Sequence, residues 1–179
     1  LPDDEEAGRL LTTAGHYAYL KIAEGCDKHC SYCIIPKLRG SYRSVPMIKL
    51  IKEARELVSQ GVRELILVAQ ETTLYGSDLY GRKMLPELLD KLNDIEGLRW
   101  IRILYAYPEE IDQELIQAMV RNDKVLHYID MPIQHGDNEI LRRMGRRTNQ
   151  DDIRKKVAML REAMPDIAIR TTVICGFPL

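Results

Sequence analysis

The sequence has few cysteines, no long hydrophobic run and no excess of charge of either sign. Four cysteines in 179 residues are too few for a disulfide-stapled fold of this length. No apolar run approaches the roughly 18 residues that a membrane-spanning helix needs. The 26 basic and 27 acidic side chains nearly cancel, so no overall positive field would attract nucleic acid. These absences leave a globular domain of ordinary size.

The beginning of the sequence is acidic. It lacks the basic-then-apolar order of a secretory signal. We interpret residues 1–15 as an acidic linker or tail, because a run of like charges favours a solvated segment, and residues 16–179 as the folded domain. Without a targeting segment, and with free thiols that need a reducing compartment, the sequence predicts a cytoplasmic protein with no membrane partner.

From residue 17 onward, short apolar segments alternate with segments of helical spacing. Alternating strands and helices indicate parallel β/α units with right-handed crossovers. The pattern alone leaves open a doubly wound sheet or a full or partial barrel. The predicted strands are 17–23, 64–69, 100–105, 126–131 and 168–175, and the predicted helices carry apolar stripes over 47–58, 85–95, 111–119 and 153–164.

The sequence ends directly after the fifth predicted strand, with no helix to cover that strand's exposed edge. We therefore expect it to be a fragment of a longer protein. A naturally short protein is the alternative.

Three of the four cysteines, Cys26, Cys30 and Cys33, form a C-x3-C-x2-C loop directly after the first predicted strand. In β/α barrels, active sites lie in the loops that follow the strands. Structural zinc sites and closed iron–sulfur clusters use four protein ligands, whereas three leave one position open for chemistry. The alternatives are His29 as a fourth ligand and three inert thiols. We interpret Cys175 as a small apolar residue within the fifth strand.

This cysteine spacing after the first strand resembles the radical S-adenosylmethionine (SAM) superfamily. The resemblance implies an α/β fold, a partial (β/α)6 TIM-like barrel, here truncated after about five strands. It implies a 4Fe-4S cluster held by Cys26, Cys30 and Cys33, with the fourth iron chelated by SAM. Reductive cleavage of SAM would then give methionine and a 5′-deoxyadenosyl radical. Tyr32 matches the aromatic residue that often precedes the last cysteine and packs near the adenine.

Further segments are similar to one branch of the superfamily, the methylthiotransferases. The similarity is to the RimO type, which methylthiolates an aspartate of a small-subunit ribosomal protein. The MiaB type, which modifies a tRNA adenosine, has different residues after the second, third and fourth strands and remains the alternative, as does a non-catalytic cluster-binding module. The segments are HYAYLKI from His16, AQETT from Ala69, LYAYP from Leu104, PIQHG from Pro132 and GFP from Gly176.

The resemblance also implies parts that these residues do not supply. The family has an N-terminal domain with a second 4Fe-4S cluster and a C-terminal TRAM domain that docks the substrate. Its partners would be the ribosomal protein, on or off the ribosome, and an electron donor. We expect the chain to be inactive alone.

Other candidate contacts to SAM follow from the resemblance. Gln70 and Glu71 stand where the superfamily holds the amino group of the SAM methionine. Gln134, after the fourth strand, is a candidate polar contact to SAM or substrate. Gly176, which has no Cβ, would allow the adenine to approach the backbone. Arg170, within the fifth strand, is a candidate contact to the SAM carboxylate or ribose.

Charged side chains within buried strands must form ion pairs or take part in binding or catalysis. Ion pairs such as Asp130 with Arg102 are therefore the alternative to a role in binding. A basic cluster near one helix end has two interpretations. It is surface charge that complements the helix dipole, or it docks to ribosomal RNA or protein. Its members are Arg142, Arg143, Arg146 and Arg147.

Overall fold

The computed structural model describes residues 12–178, so the predicted tail lies largely outside the described residues. The elements in chain order are β1 (Tyr17–Lys21), β2 (Ala23–Glu24), α1 (Ile35–Arg39), β3 (Arg43–Ser44), α2 (Met47–Ser59), β4 (Glu64–Val68), α3 (Ser77–Tyr80), α4 (Leu85–Asn93), β5 (Trp100–Ile103), a 3₁₀ helix (Pro108–Glu110), α5 (Gln113–Arg121), β6 (Val125–Asp130), α6 (Asn138–Arg143), α7 (Gln150–Ala163) and β7 (Ala168–Arg170).

Five strands form one parallel sheet in the order β1-β4-β5-β6-β7. Each strand therefore pairs with the next sheet strand along the chain, as in the register of Leu65 with both Ala18 and Ile101. With right-handed crossovers, this sequential order places every connecting helix on the same face of the sheet. The result is the predicted partial TIM-like barrel, and it excludes a doubly wound sheet, in which the strand order reverses.

The core lies between this sheet and its helices. Leu20, Leu67 and Ile103 are completely buried, and α2 contacts β1 while α4 contacts β5. Alternate residues of a strand point to opposite faces, and on the other face Tyr19 and Trp100 are 42% and 47% exposed. The apolar stripes predicted for the four long helices are confirmed, because their residues supply the covered face.

The helix ends follow their sequence signals. Gly61, with φ of +102°, lies just after α2; its N–H donates to Val58, and the N–H of Val62 donates to Leu57, which together form a Schellman motif. Pro86 lies in the first turn of α4, where its missing N–H leaves no helical hydrogen bond unmade. Three later helices, α5, α6 and α7, begin at side chains that accept a hydrogen bond from the first turn: Asp112, Asp137 and Asn149.

The fifth predicted strand, 168–175, is too long. Only Ala168–Arg170 pairs with β6, because β6 itself ends at Asp130 and the chain beyond it becomes a loop. A single bridge between Gln134 and Val173 is all that continues the pairing. Cys175 is consequently exposed, and its interpretation as an apolar residue packed within a strand is wrong. Among the described residues, no helix is long and apolar enough to cross a membrane.

Candidate functional site

One end of the cysteine loop is anchored to the loop that follows β4. Gly25 adopts φ of +82°, and its N–H donates a 2.8 Å hydrogen bond to Oε1 of Gln70. The N–H of Cys26 donates to the carbonyl of Gly40 at 3.2 Å. A Cβ on Gly25 would collide with the carbonyl oxygens of Ser41 and Gly40. Only glycine therefore fits where the cysteine loop leaves the barrel.

The other end is anchored to the segment after α6. Ser31 donates twice to this segment, from its N–H to Met144 at 3.0 Å and from its Oγ to Arg143 at 2.9 Å. Gly145 packs closely beside the loop, since a Cβ there would lie 3.5 Å from the carbonyl oxygen of His29 and 3.6 Å from the Cα of Cys30. The cysteines are thus held between two parts of the barrel that are distant in sequence.

The three thiols are free and largely protected from solvent. Cys26 and Cys30 are each 6% exposed, and Cys33 is half-buried. Burial raises the pKa of the Cys26 thiol, and the nearby Glu71 carboxylate acts in the same direction. A buried thiolate needs a positive partner to exist at neutral pH. A bound metal group would supply that charge.

The described side chains do not gather into a site for a single metal ion. Among residues 12–178, no three His, Cys, Asp or Glu side chains converge as ligands of one metal ion, which also gives no support to His29 as a fourth ligand. In a 4Fe-4S cluster each cysteine binds a different iron, so its ligands surround a larger body. Two buried thiols and one half-buried thiol on one short loop are available as such ligands.

A cavity of about 350 Å³ lies beside the thiols, within the range of small-molecule sites. It opens at the carboxyl ends of β1, β4 and β5, where active sites of β/α barrels form. The residues that line it are Cys26, Cys33, Ile35, Ala69, Gln70, Tyr105 and Tyr107. The sequence analysis named neither tyrosine as a site residue, although both belong to the LYAYP segment that resembles the family.

Backbone strain marks the same edge of the sheet. Among the described residues, three that are not glycine have positive φ: His29 at 51°, Tyr105 at 56° and Gln134 at 70°. Each lies in a loop that follows a strand of the barrel. Such conformations cost free energy and cluster at functional sites, so they support this edge as the working face of the domain.

Of the residues predicted to contact SAM, Gln70 and Tyr32 lie closest to the cysteines. Gln70 lines the cavity and also holds the backbone of Gly25. The ring of Tyr32 packs edge-on against Phe177 at 6.5 Å between centroids. This contact brings the GFP segment to the cysteine loop, although Gly176 itself is exposed, and a Cβ added there would meet no atom within 4 Å.

The other predicted contacts lie farther from the thiols or face elsewhere. Glu71 is completely buried and accepts hydrogen bonds from the N–H and hydroxyl of Thr73, and it is not part of the cavity wall. Gln134 exchanges backbone hydrogen bonds with Thr172 and Ile174 on the β6–β7 side. Glu71 thus lies near Cys26 but outside the cavity wall, and Gln134 lies at the carboxyl edge on the β6–β7 side.

The ion pairs within the sheet differ from the prediction. Asp130 is 1% exposed and pairs with Arg170 at 3.0 Å, while Arg102 pairs with Glu64 at 2.6 Å. The predicted pair of Asp130 with Arg102 is therefore wrong, because in each case a nearer opposite charge is available. Arg170 donates its hydrogen bond to a protein carboxylate.

The predicted basic cluster is not one surface. Arg142 and Arg143 both pair with Glu139 on the exterior of α6, whereas Arg146 is buried. Its guanidinium lies 4.1 Å from the centre of the Tyr107 ring. A residue counted as surface charge in the sequence thus belongs to the interior next to the cysteine loop.

The buried Glu71 carboxyl gives a pH-dependent prediction. Burial raises its pKa from 4.5 to about 7, although hydrogen bonds from Thr73 oppose the change. An acid that holds its proton more tightly when folded loses stability as the pH rises. The free energy of unfolding of the cluster-free protein should therefore fall between pH 4.5 and about 7, by on the order of 3 kcal/mol, and then level off.

Urea unfolding at about pH 5 and about pH 8 measures this fall. Glu71→Gln removes the titrating group and should lose most of it. Glu96→Gln, at an exposed position, should retain the dependence of the unsubstituted protein. Equal pH dependence in all three proteins would contradict the assignment to Glu71.

Comparison with known proteins points to the same chemistry. The family model described as the radical SAM superfamily matches residues 20–179. The chain is 60% identical over 173 residues to a protein of Lachnoclostridium phytofermentans named ribosomal protein uS12 methylthiotransferase RimO. The aligned region covers 97% of this chain and 39% of that protein. A protein of the same name from Thermoanaerobacter sp. is 52% identical over 178 residues, covering 99% of this chain and 41% of the relative. The chain thus spans about two-fifths of the length of these relatives.

Solved structures with the same fold are more distant in sequence. The radical SAM methyltransferase TsrM from Kitasatospora setae, with cobalamin and a [4Fe-4S] cluster bound, superposes with a TM-score of 0.64 at 17% identity, covering 88% of this chain and 30% of that one. The cobalamin-dependent SAM radical enzyme OxsB, with aqua-cobalamin and SAM bound, gives a TM-score of 0.68 at 16% identity, covering 87% and 23%. These similarities confirm the partial-barrel fold.

Proposed function

The chain belongs to the radical SAM superfamily, and from that premise we propose that it is the SAM-cleaving core of a RimO-type methylthiotransferase. Its substrate would be an aspartate of ribosomal protein uS12, which would receive a methylthio group. The observation that carries the proposal is the presence of three free thiols, on Cys26, Cys30 and the half-buried Cys33, next to a cavity.

The residues present fit the cofactors that this function requires. Three cysteine ligands leave one iron of a 4Fe-4S cluster for an exogenous ligand. When bound, the cluster would supply the electron that cleaves SAM to a 5′-deoxyadenosyl radical. Gln70 would hold the cysteine loop in place, and the aromatic walls of Tyr105 and Tyr107 would exclude water from the cavity.

The choice of uS12 as substrate rests on the names of the relatives. Proteins 60% and 52% identical to nearly the whole chain carry that activity in their names. A second 4Fe-4S cluster would have to come from residues beyond this chain, because only Cys175 remains outside the loop. An external electron donor completes the system, and a reducing compartment such as the cytoplasm suits its thiols.

The proposal predicts a specific loss of one modification in cells. Disruption of the gene in the source organism should remove the methylthio group from uS12 and leave methylthiolated adenosines in tRNA unchanged. Mass spectrometry of the isolated ribosomal protein and of nuclease-digested tRNA measures both. We expect uS12 modification to fall by at least about 100-fold, because the disruption removes the catalyst of this step rather than slowing it.

Matched complementing alleles control this experiment. An allele with Cys175→Ala should restore the modification, because Cys175 is exposed and outside the cluster loop, whereas an allele with Cys30→Ala should not. Loss of the tRNA modification with uS12 unchanged would replace the proposed substrate with an adenosine. Loss of neither would overturn the methylthiotransferase assignment.

A further inference from the structure

A buried arginine beside the cysteine loop has donors that no protein group satisfies. The side chain of Arg146 is 0% exposed. One of its nitrogens, Nη2, donates to the carbonyl of Pro132 at 3.0 Å, but its Nε and Nη1 have no hydrogen-bond partner within residues 12–178. Buried donors without partners are costly, and a guanidinium stays charged at any working pH. Such a group is expected to face an anion.

Its surroundings identify where that anion would be. The guanidinium stacks 4.1 Å above the Tyr107 ring, and the Tyr107 hydroxyl lies 4.0 Å from the Sγ of Cys30. The ring of Tyr107 therefore stands between the buried cation and the middle cysteine of the loop.

One carboxylate, that of Glu109, lies at the outer limit of ion-pair distance from Arg146. Lys28 is directed to the carboxylates of Glu109 and Glu110, and Lys83 also pairs with Glu110 at 3.0 Å. The nearest carboxylate oxygen to Arg146 is Oε2 of Glu109, at 4.0 Å, and that atom has no hydrogen-bond partner of its own in the described part of the chain. The positive charge of Arg146 is therefore only partly offset by Glu109, and its Nε and Nη1 remain without hydrogen-bond partners among residues 12–178.

We infer that Arg146 is a positioning residue that sets the electrostatics of the cluster at Cys30 and raises its reduction potential. The inference rests on the proposed function, since it takes Cys30 as a cluster ligand. Reduction adds a negative charge to the cluster, and a buried cation nearby stabilises the reduced form more than the oxidised form.

The test is the midpoint potential of the reconstituted cluster, followed by electron paramagnetic resonance (EPR) during a redox titration. Arg146→Gln should shift the potential to a lower value, and Arg146→Lys, which keeps the charge, should shift it less. Arg147→Gln, at the exposed neighbouring position, should leave it unchanged. Glu109→Gln should shift it to a higher value, because that substitution removes the negative charge that faces Arg146.

Arg146→Gln and Glu109→Gln are expected to shift the midpoint potential in opposite directions. If Arg146→Gln fails to fold, the shift measured for Glu109→Gln still tests the inference. Equal potentials in the unsubstituted protein and in Glu109→Gln and Arg146→Gln would overturn the inference while leaving the cluster and the proposed function intact. An unsubstituted protein that binds no cluster would overturn both. The readout does not depend on enzymatic turnover, so a structural effect on activity alone cannot imitate it.

Discussion

Replacement of Cys26, Cys30 or Cys33 by alanine is expected to abolish stable cluster binding. After anaerobic reconstitution with iron and sulfide, the unsubstituted protein should hold about four irons per chain, the content of one 4Fe-4S cluster. Each single variant would leave only two protein ligands, and the exposed cluster would be lost to solvent. Iron content and the brown absorbance of the purified protein measure the result, and we expect both to fall at least about tenfold.

Cys175→Ala is the matched control for these three variants. It removes a thiol of the same chemistry from an exposed position outside the loop, so its iron content should equal that of the unsubstituted protein. Full iron content in the Cys30→Ala variant would contradict the assignment of the ligands. Reduced iron in Cys175→Ala alone would show that the fourth cysteine, rather than the loop, holds the metal.

The second large effect is expected from Gly25→Ala. The backbone of Gly25 has φ of +82°, and an added Cβ would collide with the carbonyl oxygens of Ser41 and Gly40. Positive φ in a residue with a side chain costs about 1–3 kcal/mol, and a clash with backbone atoms cannot be relieved by a side-chain rotation. We expect the free energy of unfolding to fall by at least about 3 kcal/mol and cluster retention to fall with it.

Gly81→Ala separates the two contributions to this loss. Gly81 also has positive φ, of +71°, but a Cβ there would meet no atom within 4 Å. Its variant should lose only about 1 kcal/mol and retain the cluster. Urea unfolding and iron content of the two variants, measured side by side, check the difference. Equal losses in both would show that the close packing at Gly25 does not fix the cysteine loop.

The sheet and the long helices could be predicted because their signals are local. The apolar run at Glu64–Val68 and the stripe along Met47–Ser59 are each contained in one short segment of sequence. The cysteine loop is equally local, since its three cysteines fall within eight positions. Short elements such as α3 (Ser77–Tyr80) were missed because four residues are too few to show helical periodicity.

The walls of the site could not be predicted, because distant segments build them. Arg146 reaches the Tyr107 ring beside the cysteine loop only because the segment after α6 folds onto that loop. In the sequence it looks like one of several surface arginines. The pairing of Asp130 with Arg170 likewise depends on the alignment of β6 with β7. Local charge patterns carry no information about such contacts between strands.

The central claim is that Cys26, Cys30 and Cys33 hold a cluster with one iron left open for SAM, and one measurement tests it directly. The reconstituted protein is reduced with dithionite, and its EPR spectrum is recorded with and without SAM. The claim predicts a reduced cluster signal that changes shape on addition of SAM, because a ligand joins the open iron. A full cluster whose spectrum does not change with SAM would contradict it.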